Sequence, residues 1–489
     1  MNQAAQSHAS PPSHIEFGKY SEHVPGNIPA AVQQATDRFL GMRAVRVAEL
    51  PQWEELRQAA HEIRLHTLCH LDVYLQRLEE QVTAAGGHVH WAVDAAAARQ
   101  IVLDLARKHS VKMAVKVKSM ATEEIGLNHA LEEAGIQAVE TDLGEFIIQL
   151  AGQGPSHIIA PAVHLKKEDI AALFREKLGV EAPDDPLELA AIARSTLRQR
   201  FLAADMGISG ANFLVAETGT LVIVTNEGNG RMCTTLPKIH VAVVGIDKVV
   251  PDWDSLTVLL KLLARSASGQ KLSAYTSFIT GPRRSLQENG PEEFHLVMLD
   301  NGRSRVLSDP VGRETLKCIR CGCCLNVCPV YKHVGGYAYG WFISGPIGAI
   351  WSPQLLGVEV AGQLPFASSL CGACADVCPV KIPIPQILLH LRHRVVEGDE
   401  YASPAAPKSL RTLARLGRWA LSTPWLYRLG TRLLPLLQAP FRRGDWLPAL
   451  PPPFNRWTRV RPFPAFQGGF RSFWSKKRDR RLEEDPSDC

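Results

Sequence analysis

The hydrophobic and polar positions fall into three regimes along the chain. From about residue 30 to 85, apolar residues recur three and four apart, as in Ala31, Val32, Ala35 and Leu40 and again through 53–82, which predicts amphipathic helices. Residues 1–28 lack this periodicity and read as a flexible arm. From His88 the pattern alternates. Strands are predicted over 88–93, 112–117, 137–140 and 157–161, with helices from a cap-like Asp94, over 122–134 and over 145–151 between them. Helices over 167–178 and 186–204 follow, then strands at 219–226 and 240–250, a helix at 255–266, and strands near 274–279 and 294–299. Gly228 and Gly230 read as a hairpin turn, and Asn301-Gly302 as another. Such alternation implies a largely parallel, helix-covered sheet, giving an α/β domain over 29–311 with helices at its amino end.

The 489-residue length adds further domains to this one, and 46% hydrophobic with 21% charged residues is ordinary for a globular chain. Residues 1–20 carry no apolar run, which argues against a secretory signal peptide. No uninterrupted apolar stretch is long enough to cross a bilayer; the nearest, 341–360, is broken by Pro346 and Pro353. The net charge of +5 conceals an asymmetry, because residues 405–481 hold 17 Lys and Arg against Asp445 and Asp479.

The third regime begins past residue 311, where eight of the eleven cysteines stand in two blocks, 318–329 and 371–379. Cys318, Cys321, Cys324 and Cys328 are spaced two, two and three residues apart and closed by Pro329, the ferredoxin spacing for iron–sulfur ligation. Structural zinc also uses two-residue spacing, but it does not require the later thiolates or the proline. Clustered cysteines without a signal peptide indicate metal ligands in a reducing, cytoplasmic setting. Crossed ligation between the blocks assigns Cys318, Cys321, Cys324 and Cys378 to one cluster. Cys328, Cys371 and Cys374 go to the second, whose missing thiolate falls at Ser368. The first is expected to be a 4Fe-4S cluster; the second is either a 4Fe-4S cluster completed by another donor or a 3Fe-4S cluster. Cys323 reads as a passive neighbour, with ligation of the second cluster the alternative. Residues 312–400 thus form a two-cluster ferredoxin-like domain, with 329–370 packed over the clusters.

Open α/β sheets bind ligands at their strand ends. Lys118 there is a candidate anion holder, and Glu140, Asp142, Glu145 and Glu217 are candidate bases or nucleophiles, although caps and surface charges explain such residues equally well. No Gly-x-Gly-x-x-Gly follows the first strand, so a nicotinamide or flavin site is unsupported. His61, His66 and His70 lie on one helix without acidic or cysteine partners and read as structural.

Taken in order, Lys-Ser-Met (118–120), Glu-Thr-Asp-Leu-Gly-Glu (140–145), Pro-Ser-His (155–157), Glu-Thr-Gly-Thr (217–220), Asn-Glu-Gly-Asn (226–229), both cysteine blocks and Gly-Pro-Ile-Gly (345–348) resemble the lactate utilisation protein B family. The resemblance covers roughly residues 60–475. It implies a lactate-utilisation domain of the sugar-isomerase/CoA-transferase-like type, the same seven cluster cysteines, and an iron–sulfur subunit in a system oxidising L-lactate to pyruvate. It further implies a separate cysteine-rich redox subunit and a small lactate-utilisation-domain subunit as partners, so oxidation by this chain alone is not expected.

Residues 401–489 form a basic region with Trp419, Trp425, Trp446, Trp457 and Trp474, suited to docking on a partner protein or, peripherally, on the inner face of a membrane. Nucleic acid is not the expected partner. Two other functions compete with electron transfer in lactate oxidation. One is an acyl- or CoA-transferase-like enzyme using Glu217 with regulatory clusters; the other is the iron–sulfur subunit of a different 2-hydroxy-acid oxidase, such as one for glycolate.

Overall fold

The computed structural model describes residues 12–22, 24, 27–285, 287–450, 455–458, 461–466, 473–475 and 477. The chain divides into two compact units, Met1–Ala405 and Ala406–Cys489.

Among the described residues, ten strands build the first unit: β1 (His88–Ala92), β2 (Met113–Lys116), β3 (Gln137–Glu140), β4 (Met206–Ser209), β5 (Phe213–Val215), β6 (Thr220–Thr225), β7 (Ile239–Gly245), β8 (Val249–Val250), β9 (Tyr275–Ile279) and β10 (Glu293–Leu299). Six form a sheet in the order β1-β10-β7-β4-β2-β3, and every pairing in it is parallel. Its faces are buried on both sides, as parallel sheets require. Val241, Val243, Val297 and Leu299 meet Ala98, Val102 and Leu131 on one face. Ala242, Val244, Leu296 and Met298 share the other face's core with Phe174 and Leu189. A second sheet, β8-β5-β6-β9, is mixed: β5 pairs parallel with β8, and β6 antiparallel with β5 and β9.

Helix Ala95–Lys108 starts at Asp94, whose carboxylate accepts from Ala97 N at 2.8 Å, the cap predicted from the sequence. Several predicted elements differ. The helix over 122–134 is broken at Gly126, which adopts φ +63° and separates Met120–Glu124 from Leu127–Glu133. No strand forms over 157–161: the His157 ring accepts from Ile159 N and Ala160 N, and Ser156 N donates to Pro161 O, closing a loop. The strand over 240–250 becomes β7, a 3₁₀ turn at Ile246–Lys248 and β8, since the buried Asp247 is anchored by Arg303. Gly228 and Gly230 do not make a hairpin; Asn229–Thr235 is a helix. Asn301 and Gly302 do turn the chain, both with positive φ.

The cysteine blocks fold onto this framework. Helix Gly345–Leu356 is almost wholly buried between them and carries Trp351 in the core. Tyr331 Oη donates to Ser156 O at 2.7 Å, and Gly336 approaches Ser156 so closely that an added Cβ would lie 1.9 Å from its carbonyl oxygen. Helix Trp53–Cys69 ties the second block, and the segment leading into the first, to the sheet region. Arg57 donates to Asp376 O and Cys378 O, each at 2.8 Å, and the buried Arg64 donates to Val249 O and Leu316 O. His61 accepts from Lys317 Nζ at 2.8 Å, and His66 bonds Tyr74 Oη, which accounts for these histidines structurally. Residues 1–11 of the expected arm lie outside the described residues. Of the remainder, 12–22 departs from the expectation: Phe17–Ser21 is helical, and Ile15 is buried with its N–H on Val360 O.

The second unit opens with two helices, Lys408–Ser422 and Pro424–Leu437, which pack against each other. Trp446–Leu447 pairs antiparallel with Phe463–Pro464. Among the described residues no helix is long and apolar enough to cross a membrane.

Candidate functional site

A cleft of about 420 Å³ opens at the carboxyl ends of β2, β3, β4 and β7. Its wall takes Lys118 and Ser119 from beyond β2, Asp142 from beyond β3, Asn226, Glu227 and Asn229 from beyond β6, and Lys248 and Arg303 from beyond β7 and β10. Arg320, between Cys318 and Cys321, completes it, so the loop bearing the first cysteines is part of the cleft.

Among the described residues, three polar atoms on this wall are buried without a hydrogen-bond partner: Lys118 Nζ, Asn229 Oδ1 and Arg320 Nη1. Lys118 lies 3.6 Å from Glu145, whose own carboxyl is pushed well above its usual range by burial. Burial, reinforced by Asp142, raises the pKa of Glu227 to about 7. One Glu227 oxygen accepts from Leu143 N at 3.1 Å. The cleft therefore offers two cations, an amide oxygen that needs a donor, and a carboxyl able to gain or lose a proton near neutrality. Arg303 backs it from below. This buried guanidinium pairs with both oxygens of Glu124 at 2.7 and 2.8 Å and with Asp247 at 2.7 Å. Lys248 joins the sheet to the cysteine loop, 2.8 Å from Asp247 and donating to Cys318 O at 3.0 Å.

The strand-end candidates separate on this geometry. Lys118 and Asp142 line the cleft, although Asp142 also caps helix Leu143–Leu150 through Glu145 N. Glu145 stands behind Lys118. Glu140 is buried in an ion pair with Lys116 at 2.6 Å and accepts from Asn128 at 2.7 Å, a structural bond between neighbouring strands. Glu217 is not on the cleft wall; its carboxylate accepts from Trp253 N at the start of helix Trp253–Ala267. Glu227, Asn229, Lys248, Arg303 and Arg320 were not among the candidates. Glu227 was within reach of the same strand-end rule, standing two residues past β6.

The cysteines fall into two groups. Cys318, Cys321 and Cys378 are buried and Cys324 nearly so, and each thiol of Cys321 and Cys324 is pushed well above its ordinary range by burial and then by neighbouring cysteines. Cys374 reaches about 12, through burial and then the nearness of Cys328 and Cys371. Among the described residues no three His, Cys, Asp or Glu side chains converge as a single ion would require. A zinc ion holds its sulfurs at about 2.3 Å and hence about 3.8 Å from each other, whereas a cubane spreads them farther, so this donor set fits a cluster better than one ion. Backbone N–H groups already point at the sulfurs: Arg320 N at Cys318, Tyr331 N at Cys328 and Ile382 N at Cys378, all at 3.4–3.5 Å. Cys323 is buried beside Arg43 and Arg57. Ser368 Oγ accepts from Leu370 N at 3.1 Å, and Cys371 is exposed.

A LUD domain model matches residues 75–299, and a 4Fe-4S dicluster domain model matches 314–382. The chain is thus an α/β LUD-domain protein carrying an iron–sulfur dicluster domain. It is 46% identical over 456 residues to Lactate utilization protein B of Bacillus licheniformis, covering 93% of this chain and 94% of that protein. The Lactate utilization protein B of Shouchella clausii is also 46% identical, over 93% of this chain and 95% of its own length. The chain belongs to the lactate utilization protein B family. A solved structure of a DUF162 family protein from Deinococcus radiodurans covers 47% of this chain and 98% of its own at 11% identity, with a TM-score of 0.28, too slight a likeness to define the fold.

Proposed function

We propose that this protein is the electron-transfer subunit of a complex that oxidises L-lactate to pyruvate, working with a cysteine-rich redox subunit and a small LUD-domain subunit. The observation that carries the reading is the shared wall, since the cleft that can hold a small anion is bounded by the loop between Cys318 and Cys321. Cys318, Cys321, Cys324 and Cys378 would hold a first 4Fe-4S cluster. Cys328, Cys371 and Cys374 would hold a second, with a non-thiolate fourth position near Ser368. When bound, such clusters supply one-electron acceptors and donors.

The residues of the chain do the rest. Lys118 and Arg320 attract a carboxylate, Asn229 Oδ1 accepts from a hydroxyl, and Glu227 takes or returns a proton at neutral pH. Burial of the first cysteine group keeps water away on the cleft side, while the exposed Cys371 puts the second group within reach of a partner. With Glu217 set away from the cleft, nothing in the geometry favours acyl transfer through it.

The test is anaerobic rapid-freeze EPR of the chain mixed with the two partner subunits and L-lactate. The reading expects a reduced-cluster signal with L-lactate, strongly diminished by Lys118→Met, while dithionite reduces both versions alike. A chain reducible by dithionite but silent toward L-lactate in the complete mixture would refute it.

A further inference from the structure

We propose that the two helices Lys408–Ser422 and Pro424–Leu437 dock the protein on the surface of an anionic lipid bilayer, lying in the plane of its headgroups. The first helix divides its charge and its hydrocarbon. Lys408, Arg411, Arg415 and Arg418 recur at spacings of three and four along one face. Leu413, Leu416 and Ala420 recur at the same spacing on the other. The second helix repeats the scheme with Arg428 and Arg432 opposite Leu426, Leu433 and Leu437. In a packed unit such leucines would be covered. Here Leu421 and Leu436 are each 70% exposed and Leu437 68%, and Trp419 and Trp425 stand out among them at 59% and 61%.

The charge pattern selects the occupant. Residues 408–443 hold eight Lys and Arg and no acid. A second copy of the same face would set eight cations against eight, at a cost that disfavours self-association through it. A nucleic acid would satisfy the arginines but leave the leucines in water. A bilayer of anionic lipid answers both needs. Its phosphates meet the guanidinium groups, whose stems reach up from the apolar face, and its acyl boundary receives the leucines. Tryptophan at the border between the faces suits the headgroup level. Neither helix can span the bilayer, so the contact is peripheral.

The experiment is co-sedimentation of the full chain, purified anaerobically, with large unilamellar vesicles of phosphatidylcholine alone or of phosphatidylcholine with one quarter phosphatidylglycerol. The proposal expects binding to the anionic vesicles at least about tenfold tighter than to neutral ones, weakened about tenfold by 0.5 M salt through screening. Leu421→Glu/Leu437→Glu should lose at least about tenfold on anionic vesicles. Both side chains are exposed, so the fold is retained, and an unchanged EPR spectrum under dithionite checks this. Three results would overturn the proposal: no preference for anionic vesicles, full binding by the double variant, or a wild-type dimer that the double variant abolishes without vesicle binding. Preferential retention on RNA, insensitive to the leucine changes, would also overturn it.

Discussion

Glu227 stores folding free energy in the cleft, and the amount can be worked out. Burial raises its carboxyl from 4.5 to about 7, so the folded chain holds this proton more tightly than the unfolded chain does. A group with a raised folded pKa contributes stability that is fully present below the unfolded value and is lost as pH climbs through the folded one. Between pH 4.5 and pH 7 the wild type therefore loses about 3 kcal/mol from this residue, an upper value because the side chain keeps some contact with water. Glu227→Gln keeps the acceptor for Leu143 N and removes the titration. The first unit spans residues 1–405. An unfolding entropy of about 2.1 cal/mol/K per residue gives a slope near 0.85 kcal/mol per degree, so the variant should melt about 3–4 °C above wild type at pH 8. At pH 5 the gap should shrink to about 1 °C. Scanning calorimetry of both anaerobic proteins across pH 5–8, at one scan rate, reads this directly. A gap that is absent, or equal at both ends of the range, would refute the reasoning. The same variant should lose lactate-dependent cluster reduction, so the carboxyl trades stability for chemistry.

Other perturbations have equally definite outcomes. Arg303→Met removes the guanidinium that Glu124 and Asp247 share, leaving Asn301 on Glu124 and Lys248 and Arg320 near Asp247; breaking a buried pair in this way costs about 3–5 kcal/mol, and a fall in melting temperature below about 1 °C would contradict the network. Cys378→Ser should abolish the EPR signal of the first cluster and spare that of the second, whereas Cys371→Ser should do the reverse. Loss of the same signal in both would reject the crossed assignment. Ser368→Cys should convert an oxidised three-iron signal, where the second site shows one, into a four-iron spectrum. Gly336→Ala drives a methyl group into the Ser156 carbonyl and should destabilise the chain by about 1–3 kcal/mol or more, as circular dichroism melts would show.

The sheet was legible where residues act locally. The β-branched run of β7, the short apolar stretches of β2 and β10 and the Asp94 cap carry their structure in their own sequence. β4 and β5 were not, because Met-Gly-Ile-Ser and Phe-Leu-Val are too short to show a period and become strands only through neighbours far along the chain. The dicluster domain was legible because a cluster's geometry dictates the spacing of its cysteines. The cleft was legible in outline only. Lys118 and Asp142 stand two residues past their strands, whereas Lys248 and Arg303 stand three and four past theirs and were not among the candidates. Arg320 belonged in plain sight to the cysteine motif, and no local pattern says that its side chain faces a second site. Glu217 illustrates the opposite case, an acidic residue in a suggestive phrase that ends up capping a helix.

Arg57 and Arg64, on a helix that precedes the sheet, grip the carbonyl oxygens of Cys378 in the second cysteine block, of Leu316 just ahead of the first, and of Val249 in β8. The boundaries of the two matched domains are therefore not places to cut. A ferredoxin fragment excised at residue 314 would expose the carbonyls these arginines cover and the apolar side of Trp351, and a LUD fragment starting at residue 75 would lose both clamps. Although it matches two recognisable domain models, residues 1–405 form one compact unit, and an exchange of either half for a relative's should carry helix Trp53–Cys69 along.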